Sequence, residues 1–395
     1  MSEWKEYNLG ELSTIQTGPF GSQLHASDYV ELGIPTIMPT NIGQRLELNR
    51  AGMAYVKEAD ALRLSKYLVK DGDIVYSRRG DVEKCAYITK DESGWLCGTG
   101  CLRIRVIEKD LDSKYIAFYL STDEMRAWVS SNAVGTTMPN LNSGILRRLP
   151  LILPPLPEQT AIASILSSLD DKIDLLHRQN QTLEKMAETL FRQWFVEEAK
   201  EEWEEVMVGD FVETNKRTIN KSYQYNEIQY LDTGSLNEGL MSNLQKLNLE
   251  EAPSRAKRLV GHNDILISTV RPDQKHYGIV KVPAPDLVVS TGFCVISCKN
   301  FSPHFIYLLL TNNEMTDYLH SIAEGSTSTY PSLKPSDIEK IGFQLPPKEM
   351  LNDFEKIVSV YWEKINSNQT QIRTLTSMRD NLLPKLMSGE VRVEF

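Results

Sequence analysis

The sequence predicts an α+β chain in which two similar globular bodies are separated by two long helices paired as an antiparallel coiled coil. Three observations predict it. First, the chain is written twice: residues 72–88 and 98–106 are echoed by 263–280 and 290–298, about 191 positions on, and 113–137 is echoed by 302–328. A repeat of that length is a duplicated domain plus helix, since solenoid units recur every ~20–50 residues. Second, each copy runs into a long stretch with apolar residues every seven positions, the mark of a helical seam. Third, the proline-rich connectors Pro154-Pro155-Leu156-Pro157 and Leu345-Pro346-Pro347 stop a strand and open a helix. The segments are 1–157 (first body), 158–200 (central helix), 201–347 (second body) and 348–395 (distal helix).

Taken in order, each body begins with a tryptophan and a strand-like lead, at Trp4 and at Trp203, followed by a polar, glycine-rich loop region. Short β-branched runs entered by turn residues predict strands at 73–77 and 264–268, and Leu102–Val106 alternates apolar with basic residues. Apolar residues recurring at three and four predict one helix at 113–130 and another at 303–322.

In the central helix Ile162, Leu169, Leu176, Leu183 and Leu190 form one row, and Leu166, Ile173, Asn180, Ala187 and Trp194 the other. The distal rows are Phe354, Tyr361, Asn368, Leu375 and Leu382 with Val358, Ile365, Ile372, Arg379 and Leu386. An antiparallel register in which paired positions sum to 548 sets Asn180 against Asn368, Leu183 against Ile365, Leu176 against Ile372, Ala187 against Tyr361 and Trp194 against Phe354. A slipped register leaves a buried amide unpaired, at a cost of about 1–3 kcal/mol. The weak layer is Leu169 against Arg379, where the arginine stem is expected on the seam with its head in water. At ~1.5 Å per residue the seam is a rod of about 50 Å. Such a rod is expected to present the two bodies to duplex segments about 34 Å or somewhat more apart.

The formal net charge of −10 argues against a nucleic-acid partner until its distribution is read. Residues 158–205 hold 12 acidic against 5 basic side chains, whereas 63–109 hold 10 basic against 7 acidic and 251–300 hold 7 basic against 4 acidic. The bodies are mildly basic; the helix is an acidic face fit for solvent or a basic partner protein. The five cysteines are odd in number and sit in apolar context, as in a reducing compartment. The spacings Cys97/Cys101 and Cys294/Cys298 lack the further ligands of a zinc shell, so no metal is expected. No apolar run reaches ~20 residues, and a cytoplasmic chain is expected. Phosphate loops, dinucleotide fingerprints, zinc-protease motifs and nucleophile elbows are all missing, and the six histidines form no repeat-related pair. The chain is expected to do no chemistry itself.

The repeated polar loops look instead like binding surfaces. Arg78 and Arg79 follow the first strand of the repeat, and Arg271, Gln274 and Lys275 its counterpart. Arginine forks onto guanine and glutamine onto adenine in the major groove. Thr136 and Thr137, with Ser326 and Thr327, form a second repeated loop suited to phosphate or base contacts. Gln16, Thr17, Ser22 and Gln23 occupy the front of the first body, Lys216 and Arg217 that of the second, and Arg255, Lys257 and Arg258 add charge to the second copy alone. The apolar frame is kept while these polar segments differ, so the two bodies are expected to read different sequences.

The whole pattern resembles the specificity subunit of a type I restriction-modification system. The resemblance rests on Leu149–Gln159 (LPLILPPLPEQ) opening a long helix, Asp171–Asp174 (DKID), Leu183–Met186 (LEKM), the second connector at 345–348 and the closing run Leu382–Val391 (LLPKLMSGEV). The second connector, Pro346-Pro347-Lys348-Glu349-Met350, departs mildly from the family's usual form. The resemblance implies two target-recognition domains, each reading half of a bipartite site in double-stranded DNA. It implies helices that dock two modification (methyltransferase) subunits acting on adenine N6, and restriction subunits with translocase and nuclease activity. It places S-adenosylmethionine, ATP and Mg on those partners and none in this chain, with no membrane involved. A stand-alone two-headed DNA-binding regulator and a scaffolding coiled-coil protein remain as alternatives.

Overall fold

The computed structural model describes residues 4–135, 139–242, 244–325 and 331–393. The chain divides into two compact units, one made of residues 1–174 with 373–395 and the other of 175–372. The central helix runs Leu156–Arg192 and the distal helix Lys348–Met387, so each contributes one segment to each unit. Among the described residues no helix is long and apolar enough to cross a membrane.

In unit 1 the main sheet has four antiparallel strands in the order Ser13–Thr17, Cys101–Val106, Ile74–Ser77, Cys85–Tyr87. The lead Lys5–Asn8 pairs with Pro150–Leu153, which returns the chain to the central helix. A second four-stranded sheet (Tyr29–Val30, Ala54–Val56, Ile34–Ile37, Leu96–Cys97) lies in the region expected as loop. Its strands of two to four residues are too short to show alternation in the sequence. The core joins the main sheet, through Ile74, Tyr76, Leu102 and Ile104, to Ile162 and Leu166 of the central helix and to Leu386 and Met387 of the distal helix.

Unit 2 repeats the plan. Its main sheet is ordered Val212–Thr214, Phe293–Cys298, Ile265–Ser268, Tyr277–Ile279, with Glu205–Met207 paired to Gly342–Gln344. Its second sheet, Gln245–Asn248, Glu227–Leu231, Leu287–Ser290, Ala256–Leu259, again holds a parallel pair. Phe191 of the central helix and Phe195 just beyond it stack with Phe305 and Phe354 at centroid distances of 4.9–6.3 Å, and offset or edge-on aromatic pairs at such distances are favourable.

The helices expected at 113–130 and 303–322 are each two helices, Ser113–Leu120 with Asp123–Asn132, and Pro303–Thr311 with Asn313–Glu324. The breaks fall where Thr122 Oγ1 and Asn312 Oδ1 accept from the backbone of Met125 and Met315, so an N-cap restarts each helix inside an unbroken apolar period.

Within unit 2 Asn368 Nδ2 donates to Asn180 Oδ1 at 2.8 Å, with both residues buried. Leu176 and Ile365 are buried, and Leu183 and Ile372 partly so. Two features of the seam differ from the sequence reading. Near its end the central helix buries Phe191 more deeply than Leu190, because a straight α-helix drifts about 20° per heptad away from a seven-residue repeat; in the π-turn at Gln193–Glu197 that follows, Phe195 is buried more deeply than Trp194. In unit 1 the Arg379 head is held by carboxylates, one on the facing helix and one on its own. Its Nη1 lies 3.3 Å from Asp170 Oδ1 and its Nη2 2.5 Å from Asp380 Oδ1, with the side chain only 13 % exposed. Arg45 of the first body reaches the same acidic step, 3.0 Å from Asp174. Burial raises the Asp170 pKa despite the two guanidinium groups. The distal tail closes unit 1 through Arg392, whose Nη2 donates to the buried Glu158 carboxylate at 2.7 Å.

Candidate nucleic-acid interface

The main sheet of unit 1 delivers two loops to one edge. Strands Ser13–Thr17 and Ile74–Ser77 both end beside the start of Cys101–Val106, with Thr17 opposite Leu102 and Ser77 opposite Cys101. The chain then leaves through Gly18, where a Cβ would come 2.0 Å from the Gly98 carbonyl oxygen, a separation that only glycine permits. Phe20, 55 % exposed, lies under the Arg78 guanidinium at 5.5 Å. The Arg78 carbonyl accepts from Leu141 N at 2.9 Å, and Arg79 bridges Asn140. Residues 18–23, 78–81 and 139–141 are thereby brought together.

Arg79 is exposed and Arg78 half-buried, and neither makes an ion pair among the described residues. Burial, then the adjacent Arg79 charge, pull the Arg78 pKa down, and its Nε is buried without a hydrogen-bond partner. An uncompensated guanidinium stacked on an exposed ring is poised for an anionic or carbonyl-rich partner. Gln16 and Gln23 are engaged within the body: Gln16 Nε2 donates to the Thr17 carbonyl at 2.9 Å, and Gln23 Oε1 accepts from Tyr67 OH at 2.6 Å. Ser22 is exposed on the same turn. Thr136, Thr137, Ser326 and Thr327 lie outside the described residues.

In unit 2 the corresponding edge carries Thr269–Lys275. Arg271 N donates to the Pro331 carbonyl at 3.1 Å and Leu333 N to the Thr269 carbonyl at 2.8 Å, so this loop meets the chain at 331–333 as its counterpart meets 139–141. Arg271 (φ 50°) and Lys275 (φ 55°) adopt left-handed backbone on either side of a short turn; unit 1 has Gly80 (φ 74°) in its loop. Strain of this kind in residues with a Cβ, about 1–3 kcal/mol each, collects at functional sites. Arg271 and Gln274 are exposed. Lys275 is spent on Asn313 Oδ1 at 3.1 Å and Glu238 at 3.4 Å.

The structure separates Lys216 and Arg217 from this loop. Arg217 Nη2 holds the buried Asp264 carboxylate at 2.9 Å, and Asp264 opens the strand whose other end leads to Arg271. Lys216 pairs with Glu213. The repeat-related Asp73 is held in the same manner by Arg105, at 2.6 and 2.7 Å. The sequence alone assigned no role to this pair of buried aspartates or to Phe20. The aspartates had a signal, since each precedes its strand at the same place in the repeat; an isolated phenylalanine in a turn had none. Arg255 and Lys257 are exposed, and Arg258 is partly buried. Among the described residues no group of histidine, cysteine and carboxylate side chains forms a metal site, and the five cysteines are free.

The family model described as the type I restriction modification DNA specificity domain matches residues 1–185 and again 200–376. The chain is 30 % identical over 314 residues to the type I restriction enzyme MjaIX specificity subunit of Methanocaldococcus jannaschii, covering 73 % of this chain and 72 % of that protein. It is 24 % identical over 469 aligned positions to the HindI specificity subunit of Haemophilus influenzae, covering 99 % and 100 %. The fold is similar to the crystal structure of a type I restriction-modification S subunit from M. genitalium, with a TM-score of 0.62 at 17 % identity over 97 % of this chain and 96 % of that one. Two matches of one domain family, a curated relative aligned over most of both chains and a shared two-body fold lead to one assignment: the chain belongs to the DNA specificity subunits of type I restriction-modification systems, the recognition and non-catalytic component.

Proposed function

We propose that the two bodies read the two halves of a bipartite site in double-stranded DNA while the long helices dock two modification subunits. Those subunits carry S-adenosylmethionine and methylate adenine N6, and restriction subunits using ATP and Mg join the larger cytoplasmic assembly. One observation carries the reading. The same pair of loops sits at the same edge of the main sheet in both units, Arg78–Arg79 beside 139–141 and Arg271–Lys275 beside 331–333, and the side chains it presents differ. A shared frame with unlike loops selects unlike half-sites. Backbone amides and lysines set position on phosphates, and guanidinium forks choose bases. Adenine leaves the stack for methylation, so recognition also aligns the partner's pocket.

Mapping methylated adenines in a host carrying the system, with and without this chain, tests the proposal. An interrupted motif that vanishes with the chain is expected. A single continuous motif, or methylation independent of the chain, overturns it.

A further inference from the structure

Unit 2 contains a cavity of about 490 Å³ whose lining includes Lys275, at the end of the Arg271 loop. Glu184 and Glu188 of the central helix enter it from one side and Glu238 from another, and Tyr277, Tyr307 and Trp362 supply its aromatic wall. Tyr277 and Tyr307 meet edge-on at 6.1 Å, and Tyr307 and Trp362 at 5.6 Å.

Its charge is not balanced. Four glutamates line it (Glu184, Glu188, Glu238, Glu314) against Arg192 and Lys275, a net of −2. Lys275 is engaged by Glu238, and Arg192 by Glu197 at 3.2 Å. Glu184 and Glu188 make no hydrogen bond or ion pair among the described residues. Burial first, then the charges of Glu188 and Glu238, push Glu184 up to about 7. A second, independent feature points to an occupant. Tyr307 is 6 % exposed, yet its hydroxyl has no hydrogen-bond partner among the described residues. That hydroxyl and Glu184 Oε1 lie 3.4 and 3.6 Å from where a Cβ on Gly239 would stand; Gly239 lines a small void that adjoins the cavity and shares Glu184, Tyr307 and Trp362 with it. Carboxylates, a phenol hydroxyl and aromatic faces together complement a guanidinium or alkylammonium group; three ligands suited to a bare metal ion are not gathered among the described residues.

We propose that this cavity receives an arginine or lysine side chain of the protein that docks on unit 2. The inference rests on the docking of modification subunits stated above and names the contact that anchors it. A cation entering the cavity faces Glu184, Glu188 and Arg192 on the central helix, Glu238 and Lys275 on the adjoining turns, and Tyr277, Tyr307 and Glu314; the Lys185 charge acts on Glu188 from the same helix, and Lys281 lines the void next to it. It draws the proton off Glu184, so docking releases a proton and tightens as pH rises from 6 to 8.

The test titrates the modification subunit of the same system into the full chain without DNA. The Glu184→Gln/Glu188→Gln variant is expected to bind at least ten-fold more weakly and to lose the pH dependence. Its melting temperature should hold or rise, because a purely structural role predicts no gain from removing the crowded charges. Tyr307→Phe, which keeps the ring, should weaken binding several-fold. Equal affinity of wild type and the double variant overturns the inference alone. No binding by the wild type overturns the docking reading from which it starts. Spermidine titrated into the wild-type chain separates a free polyamine: tight binding that the double variant loses, with subunit affinity unchanged, also overturns the proposal.

Discussion

Arg78 and Arg217 carry the same charge in repeat-related bodies and have opposite employment. Arg78 stacks on Phe20 and makes no ion pair among the described residues, whereas Arg217 is anchored on buried Asp264. Arg78→Ala is therefore expected to cost about 1–3 kcal/mol of DNA affinity and to relax selectivity in one half-site only; a loss equal across all sequences, measured by competition binding, would assign it to phosphate instead. Arg217→Ala is expected to leave selectivity intact and to lower stability by about 1 kcal/mol in denaturant titrations, the pair being half-exposed on the arginine side. Glu184 gives the chain a pH signature. Its folded pKa of about 7 stands above the ordinary 4.5, so folding takes up a proton. The stability this contributes is complete below about pH 4.5 and is lost as pH rises through 7. Denaturation of wild type and Glu184→Gln from pH 5 to 8 should show the wild type losing ground steadily. At this scale the sequence revealed which loops the two bodies share, because Arg78–Arg79 and Arg271–Lys275 recur in register. It did not show which cations are neutralised, since the partners of Lys216, Arg217 and Lys275 are set by tertiary placement.

The long helices were readable almost throughout, since a heptad pattern is local and its polar layer marks itself. Asn180 meets Asn368 through one hydrogen bond, leaving Asn180 Nδ2 and Asn368 Oδ1 without partners. Such a layer fixes register more than it stabilises. Asn180→Leu alone is expected to destabilise unit 2 by about 1–3 kcal/mol, because Asn368 is then stranded. The Asn180→Leu/Asn368→Leu pair should melt no lower than wild type while permitting slipped registers, visible as added crosslink pairs. What the pattern hid has physical causes. Helical periodicity passed unbroken through Thr122 and Asn312 although N-caps divide both helices there, and the strands of the second sheets were too short to declare a period. Arg379 was expected in water because its partner, Asp170, belongs to the facing helix.

Two bodies built on one sheet order, each with its own loop set, give the molecule a modular logic. Replacing residues 201–347 with the matching segment of a relative is expected to change one half of the methylated motif and leave the other half as it was, read by sequencing modified DNA. If both halves change, the bodies do not recognise DNA separately. The repeat made this duplication plain from the sequence, as did the connectors at 154–157 and 345–347. The composition of the compact units was not legible there: a helix drawn as a spacer is also a wall of each core, with Ile162, Leu386 and Met387 in one and Phe191 and Phe354 in the other.

That sharing sets an order of events during synthesis. The interior of unit 1 is sealed by Leu386, Met387 and the grip of Arg392 on Glu158, all of which leave the ribosome after every residue of unit 2. The body translated first thus stays unfinished while the whole of unit 2 is made, and its own closure comes after.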